Sequence, residues 1–475
     1  MTTFNLILKN AHVEDPANGI SGIRDVGITE GRITAVEADL SAAKAKESLD
    51  LSGLTVFPGL IDMHVHVSGI FGQSIGFPML VRAGICTALN MAGPTSQLVK
   101  SMEQACGLNI ATLEDASPGI TLPNADPSQA EIEALVERSL KEGAIGIKIL
   151  GGHFPLSPDA SAKIVALVKQ KDAYMAWHAG TTSKGSTIEG LIESVELCAG
   201  NVVHMAHINS YCRGLIKGEI AEVQEAIELL ESHQNIFSES YLAAMNGIML
   251  SIGKDGKTAS KAVGLQLKHL GFDDSRQGMG EAIRAQVVYA LTEREGQVIR
   301  VTGEEGFKLW TKADSNVPGS IDINPPISRL ALFLAKRKSG DFAVDALATD
   351  GGTIPRNVML SSGLALVAAG AMSLADFVRK ASYNPSRLLC LKNKGHIGIG
   401  ADADITVVDQ LRREAVYTII GGQVCLRRKE IGGKGGCLLT SDRGAAAAKA
   451  NGIQYEIVES AHPLPLSGRR KWDKT

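Results

Sequence analysis

The chain has 475 residues, 44% of them hydrophobic and 21% charged, with a formal net charge of -3 at pH 7. These values are typical of a folded globular protein and exclude the positive field that nucleic-acid binding requires. No apolar run reaches transmembrane length, the first residues show no charged region followed by an apolar core, and the seven cysteines are scattered, so we expect a cytoplasmic protein that does not enter a membrane.

The first 57 residues predict a small β domain. Short runs of alternating apolar residues, such as 5–8 and 22–28, are separated by Gly and Asn turns, which is typical of antiparallel strands. The same alternation returns late in the chain, at 397–409. We therefore predict that residues 1–57 and 396–440 pair into one β-sandwich built from both chain ends.

From Pro58 to residue 395 the pattern changes to apolar, strand-like runs that alternate with stretches of helical spacing. Eight such runs occur, at residues 58–66, 86–91, 108–113, 144–150, 173–178, 201–208, 235–240 and 342–350. Regular alternation of this kind predicts an α/β fold, namely a (β/α)8 TIM-like barrel.

Two segments fall outside this alternation. Residues 241–341 separate the seventh and eighth runs, and insertions of that length are usually functional or carry their own structure. Residues 441–475 include an alanine run and a basic segment. We predict a C-terminal tail there, of the kind that serves as an arm in a homo-oligomer, and assign it no chemistry.

The carboxyl ends of the strands are where active sites form in such barrels. His64 and His66 end the first run, and their i, i+2 spacing places both side chains on one face of a strand. Further chemistry-bearing residues follow at the ends of later runs: Lys148, His178, His207 and Asp350. Because buried charge without a partner is costly, this set predicts a metal cluster.

Each of these residues also has a plainer interpretation. His64 and His66 can be a structural pair, and Lys148 can be a paired lysine at a strand terminus. His204 competes with His207 for the inward direction; we choose His207, at the strand end, and interpret His204 as a core histidine. Cys86 is interpreted as a buried free thiol.

The residues at the strand ends, the motif at 58–66 and the segment 384–389 leading into 398–409 resemble the amidohydrolase superfamily. The resemblance covers about residues 4–440 and is to the binuclear branch, which includes hydantoinases, dihydroorotases and D-aminoacylases. It implies two divalent ions, with Zn²⁺ expected. His64, His66 and Asp350 would bind the first ion, His178 and His207 the second, and Lys148, carboxylated by CO₂, would bridge them.

The same resemblance implies a hydrolase that cleaves an amide C–N bond, other than a peptide bond, by attack of a metal-bridging hydroxide. Asp350 would be the catalytic residue that takes the proton from the bridging water. The substrate would be a small-molecule amide, and the sequence leaves open whether it is a cyclic amide or an N-acyl amino acid. Six residues beyond the strand ends are candidate substrate contacts: His153, Asn209, Tyr211, Arg213, Tyr241 and Arg356.

Two other classes of function stay open at this point. A hydrolytic deaminase would release ammonia, but such enzymes usually use one metal and a glutamate base, so Lys148 argues against this class. A non-catalytic homologue kept for assembly would be expected to lose metal ligands, whereas every expected ligand is present.

Overall fold

The computed structural model describes residues 3–68, 71–91 and 93–459. At its centre is a parallel barrel whose strands follow one another in chain order. Its first seven strands are Leu60–His66, Ile85–Asn90, Asn109–Ala116, Gly146–Ile149, Tyr174–Trp177, Val203–Met205 and Ile236–Ser240. The eighth consists of two short segments: Ala346–Leu347 pairs with the seventh strand, and Gly351–Gly352 pairs with the first. The ring is thereby closed, and the predicted (β/α)8 barrel is confirmed.

A helix follows each barrel strand. These helices are Gln73–Arg82, Thr95–Lys100, Gln129–Glu142, Pro158–Gln170, Ile188–Leu197, Glu219–Ser232, Pro326–Leu334 and Met359–Ala368. After the last of them the chain continues through Leu374–Val378, a π-helical turn at Arg379–Tyr383 and Asn384–Leu388. Four short 3₁₀ turns lie at Met102–Gln104, Gly151–His153, Ile208–Tyr211 and Asp442–Gly444.

The helix Gln129–Glu142 illustrates how the sequence sets these elements. Ser128 and Glu131 form a reciprocal capping box at its start, which satisfies two backbone donors that the helix leaves unpaired. Gly143 ends it at φ 115, a left-handed conformation that glycine adopts without a Cβ penalty. The apolar positions between these signals, with helical spacing, face the barrel strands and are buried: Ile132, Leu135, Val136 and Leu140.

The alternation of side chains along the strands separates an inner core from an outer one. Ile147 and Ile149 of the fourth strand pack with the surrounding helices, so Lys148 between them points into the barrel. Likewise Tyr174 and Ala176 of the fifth strand belong to the inner cluster. The sequence therefore directs Lys148 inward through the apolar residues on either side of it.

The chain ends meet in a separate nine-stranded sheet with its own apolar core. Thr55–Pro58 lies at the junction, parallel to Thr3–Asp15 and antiparallel to Ile405–Asp409. The remaining strands are Ile20–Thr29, Arg32–Glu37, Lys44–Asp50, Glu414–Ile420, Gln423–Arg427 and Glu430–Ile431. Residues from both ends of the chain thus form the small domain, as the alternating patterns predict.

The strand Cys437–Thr440 lies within the range predicted for the small domain, but the structure places it in the barrel sheet. It pairs with the third barrel strand and with Gln454–Ile457, not with the small domain. Residues 437–457, including the helix Ala445–Ala450, therefore add to the barrel sheet. The rest of the predicted tail, 460–475, lies outside the described residues.

The long insertion forms a compact α/β unit. Its four strands, Met245–Met249, Pro318–Asp322, Val288–Arg294 and Gln297–Val301, form one antiparallel sheet. Three helices, Lys261–His269, Arg276–Arg284 and Gly303–Lys312, pack on it around the buried Trp310. Across the described residues of the whole chain, no helix combines the length and the apolar character needed to cross a bilayer.

Candidate metal centre

Three predicted ligands converge where the first and eighth barrel strands meet. Nε2 of His66 lies 2.9 Å from Oδ1 of Asp350, and Nε2 of His64 lies 3.3 Å from the same oxygen. The three residues place one donor atom each within 4.8 Å of one another. His64 is fully buried, whereas the His66 side chain is 25% exposed. Solvent therefore reaches these three residues on the side of His66.

Lys148 reaches this group from the opposite wall of the barrel. Its Nζ lies 2.9 Å from Nε2 of His64, in a buried position. Burial lowers the pKa of Lys148 to about 8, although nearby Asp350 and Glu239 favour its charged form. A lysine in this position is a weaker base than usual, and its amine is correspondingly more often neutral.

His178 and His207 complete the cluster from the fifth and sixth strands. Their ring centroids are 4.4 Å apart, and the His207 ring stacks 5.0 Å from that of His64. Burial lowers the pKa of His64, His178 and His207 well below the ordinary value. Neutral imidazole is the form that binds a metal ion.

Three of the four histidines have one ring nitrogen held by a neighbouring side chain. Nδ1 of His64 contacts Glu239 at 2.7 Å, Nε2 of His178 contacts Ser186 at 3.0 Å, and Nδ1 of His207 contacts Ser210 at 2.7 Å. The other ring nitrogen of His64 faces Lys148 and Asp350 inside the cluster. Histidines that bind metals in proteins are oriented by such partners.

The donor set therefore fits divalent metal ions. Four imidazoles, a carboxylate and an amine lie together at the carboxyl ends of five strands, and nitrogen and oxygen donors of this kind suit Zn²⁺ and related ions. Burial opposes ionisation of Asp350, but Arg356, His64 and His66 together outweigh it and hold the pKa of this carboxyl well below its ordinary value.

Two residues that were predicted to contact the substrate, Arg356 and Tyr211, instead bind neighbouring residues of the site. Arg356 makes an ion pair with Asp350 and donates to the backbone oxygens of Asp350 and Met245. The Tyr211 hydroxyl accepts the backbone N–H of Ala179 at 2.8 Å. Both side chains are therefore occupied in supporting neighbouring residues.

Three other predicted contacts form a connected polar group beside the cluster. Oδ1 of Asn209 accepts the backbone N–H of Tyr241, and the Tyr241 ring lies 6.2 Å from that of His207. Arg213 donates through Nε to Asn324 at 2.9 Å and lies 3.5 Å from the Tyr241 hydroxyl. No carboxylate of the described residues lies within ion-pair distance of Arg213, although it is only 7% exposed.

His153 lies on the outer side of the cluster. It is exposed, in the turn Gly151–His153, and its ring is 5.0 Å from that of His178. The alternatives to the predicted ligands lie deeper. His204 is buried between Phe237 and the Tyr174 hydroxyl, and Cys86 is a buried free thiol against the small domain.

Three residues that contact the candidate site are not predicted from the sequence: Glu239, Ser186 and Asn324. Glu239 had a detectable signal, since it is an acidic residue within the buried strand Ile236–Ser240, the same feature that singled out Lys148. Ser186 and Asn324 lie in loops and carry no pattern of their own, so only the folded chain brings them to the site.

The sequence of the chain matches a family model and the sequences of known enzymes. The model of the amidohydrolase family matches residues 55–243 and 321–425, more than half of the chain. The dihydroorotase of Elusimicrobium minutum (strain Pei191) is 27% identical over 441 residues, covering 87% of this chain and 89% of that protein. The match is interrupted at residues 244–320, which lie within the insertion.

Solved structures share the fold. N-acyl-D-glutamate deacylase from Bordetella bronchiseptica, complexed with zinc and a phosphonate inhibitor, aligns with a TM-score of 0.66 at 14% identity, over 92% of this chain and 99% of that one. A D-aminoacylase studied for its binuclear metal center aligns with a TM-score of 0.64 at 16% identity, over 91% and 99%. At these identities the likeness shows the architecture alone.

Proposed function

The chain belongs to the amidohydrolase family, and we propose that it is a binuclear metal enzyme that hydrolyses the C–N bond of a small amide bearing a carboxylate. The observation that carries this proposal is the convergence of His64, His66 and Asp350 with Lys148. The family supplies the class of reaction, a hydrolysis of C–N bonds other than peptide bonds. The side chains of this chain support the more specific parts of the proposal, which are the binuclear centre and the carboxylate of the substrate.

His64, His66 and Asp350 would hold one ion, and His178 and His207 the other, with Zn²⁺ as the expected metal. When bound, such ions lower the pKa of water to about 7 and polarise the carbonyl that is attacked. The contacts that hold one ring nitrogen of His64, His178 and His207 support their role as ligands, because metal-binding histidines are oriented by such partners.

Lys148 would join the two groups as a carbamate. Its amine is buried beside His64, and a cation there would oppose two metal ions. Reaction of the neutral amine with CO₂ forms a C–N bond, releases one proton and gives an anionic carbamate with two oxygens, whose negative charge would offset that of two metal cations. The position of Nζ inside the ligand cluster supports this assignment.

Asp350 would carry the proton of the reaction. One carboxylate oxygen faces His64 and His66, while the other is paired with Arg356. Arg356 keeps the carboxylate ionised and fixed, and the ionised form is the one that can accept a proton from water and pass it to the leaving nitrogen.

Arg213 would bind the carboxylate of the substrate. It is a buried cation beside the cluster without an acidic partner among the described residues, and burying an unpaired charge is costly unless a ligand supplies the counter-charge. Arginine also matches a carboxylate in geometry. Arg213 is favoured over Arg356 as the residue that binds the substrate carboxylate, because the guanidinium of Arg356 is already paired with Asp350.

The test combines metal content with hydrolysis. Protein purified without chelator should contain about two divalent ions per chain, lose activity on chelation and regain it with Zn²⁺. A panel should contain cyclic amides and N-acyl amino acids, each with and without a carboxylate. Substoichiometric metal that reconstitution does not raise, or no hydrolysis in a fully loaded protein, would contradict the proposal.

We also propose that the enzyme acts in the cytoplasm as a homo-oligomer without nucleic-acid or membrane partners. The seven free thiols support a reducing compartment. Cell fractionation and light scattering of the purified protein test the two parts of this proposal.

A further inference from the structure

We infer that Glu239 is a positioning residue that holds two metal-binding histidines, His64 and His207, and fixes the ring nitrogen that His64 offers to the metal. The inference rests on the proposed metal centre and extends it to the seventh strand, which supplies no predicted ligand. Glu239 is fully buried in the strand Ile236–Ser240.

A single carboxylate oxygen makes both contacts. Oε1 of Glu239 lies 2.7 Å from Nδ1 of His64 and accepts the backbone N–H of His207 at 2.8 Å. In the barrel the seventh strand is beside the sixth, and the eighth separates it from the first. Glu239 therefore connects a proposed ligand of the first ion with a proposed ligand of the second, across the barrel interior.

The shared oxygen also sets the direction of the bond to His64. When Glu239 is ionised its oxygens only accept hydrogen bonds, so Oε1 accepts from His64 as well as from the N–H of His207. Nδ1 of His64 therefore carries the proton, and Nε2 presents its lone pair toward Asp350 and Lys148, at 3.3 Å and 2.9 Å. Partners of this kind fix the tautomer of a ligating histidine and its ring orientation.

The contact to His207 acts on the backbone. His207 has φ 33 and ψ 61, in the left-handed region, which a residue with a Cβ adopts only when its surroundings enforce it. The carboxylate holds the N–H of His207 while Ser210 holds its ring. Removing Glu239 would free this turn and loosen the orientation of the His207 ring.

The alternative is that Glu239 acts only through its negative charge. The two roles predict different results for Glu239→Gln, because glutamine can keep the hydrogen bonds but not the charge. The amide oxygen of Glu239→Gln still accepts from both His64 and His207 but carries no charge. Glu239→Ala removes the contacts and the charge together. Ser240→Ala is a matched control on the same strand, because the Ser240 hydroxyl is buried and has no hydrogen-bond partner in the described part of the chain.

The experiment measures metal binding by the full chain, independently of any substrate. Metal-free protein is titrated with Zn²⁺ against a chromophoric chelator, and the visible absorption of the Co²⁺-loaded protein reports ligand geometry. Glu239→Ala should lose roughly tenfold to a hundredfold in Zn²⁺ affinity and change the Co²⁺ spectrum. Glu239→Gln should recover most of the affinity and keep the spectrum, and Ser240→Ala should match the unsubstituted protein.

Glu239→Ala that folds and binds Zn²⁺ with unchanged affinity would overturn the inference. So would Glu239→Gln with the full loss, since charge would then be the cause. If Glu239→Ala does not fold, the spectrum of Glu239→Gln decides between the two outcomes. Failure of the unsubstituted protein to bind Zn²⁺ would overturn the proposed function itself, which distinguishes the two failures.

Discussion

The amine of Lys148 lies 2.9 Å from Nε2 of His64 in the buried interior of the barrel. Two groups that gain positive charge on protonation disfavour one another's charged form at this distance. The pair is therefore stable when both are neutral, or when the lysine has become an anionic carbamate. Either form suits a metal site, and only the second bridges two ions.

Replacement of Lys148 tests the bridge. Lys148→Ala should lose activity and part of the bound metal, because the carbamate oxygens are gone, and acetate or propionate should partly restore both. Metal content and hydrolysis rate are measured with and without the added acid. Lys171→Ala, which removes a half-buried lysine paired with Glu137, is the control. Full activity in CO₂-free buffer, with a bare amine at Lys148, would contradict the bridge.

Asp350→Asn separates metal binding from proton transfer. The amide keeps one oxygen toward His64 and His66 but cannot accept the proton, so much of the metal should stay while kcat falls by about 10² or more. Metal analysis and steady-state kinetics of the same preparation give both values. A variant with intact metal and near-normal kcat would show that another group carries the proton.

Arg213→Gln should act on substrates through their carboxylate. A hydrogen bond to a charged group contributes about 1.5–3 kcal/mol, so KM for an N-acetylamino acid should rise roughly tenfold to a hundredfold. KM for the corresponding uncharged amino acid amide should stay nearly unchanged. Arg213→Lys keeps the charge and should show a smaller effect. Equal changes with both substrates would exclude Arg213 as the carboxylate anchor.

The insertion is predicted to select the substrate. Met245 and Asp322 are paired across its first and last strands, as are Gly247 and Ser320, so residues 248–319 can be replaced by a two-residue Asn-Gly turn. The barrel should still fold, since the removed part has its own core. The relative rates on cyclic and linear amides should change. A folded deletion variant with an unchanged substrate profile would contradict this role.

Lys394 is predicted to stabilise the junction of the small domain and the barrel. It is 5% exposed, and its amine lies 2.6 Å from Asp402 and 2.8 Å from Asp404. Lys394→Met leaves two buried carboxylates without their cation, which should cost about 3–5 kcal/mol of unfolding free energy in urea denaturation. Lys163→Met, which breaks an exposed pair with Asp159, should have little effect. Equal losses in the two variants would contradict the assignment.

The order of strands and the position of the ligands follow from local patterns. Apolar runs bounded by turns identify all eight barrel strands, because a strand covered on both faces needs apolar residues throughout. Polar residues such as His66 and Lys148 therefore stand out against that background. Their position at strand ends, together with the parallel order of the barrel, is enough to bring them to one face.

The contacts that orient the ligands are decided by the tertiary structure. Glu239 is far in sequence from His64, Ser186 belongs to a loop, and the partner of Arg356 is Asp350 rather than a substrate. The pairing of Cys437–Thr440 with the third barrel strand also depends on where a late segment meets an early one. The sequence alone determined the barrel and its set of candidate ligands, because apolar periodicity is a local property. Only the tertiary structure decided which side chain orients each candidate ligand, because hydrogen bonds between residues distant in sequence depend on distances that no local pattern encodes.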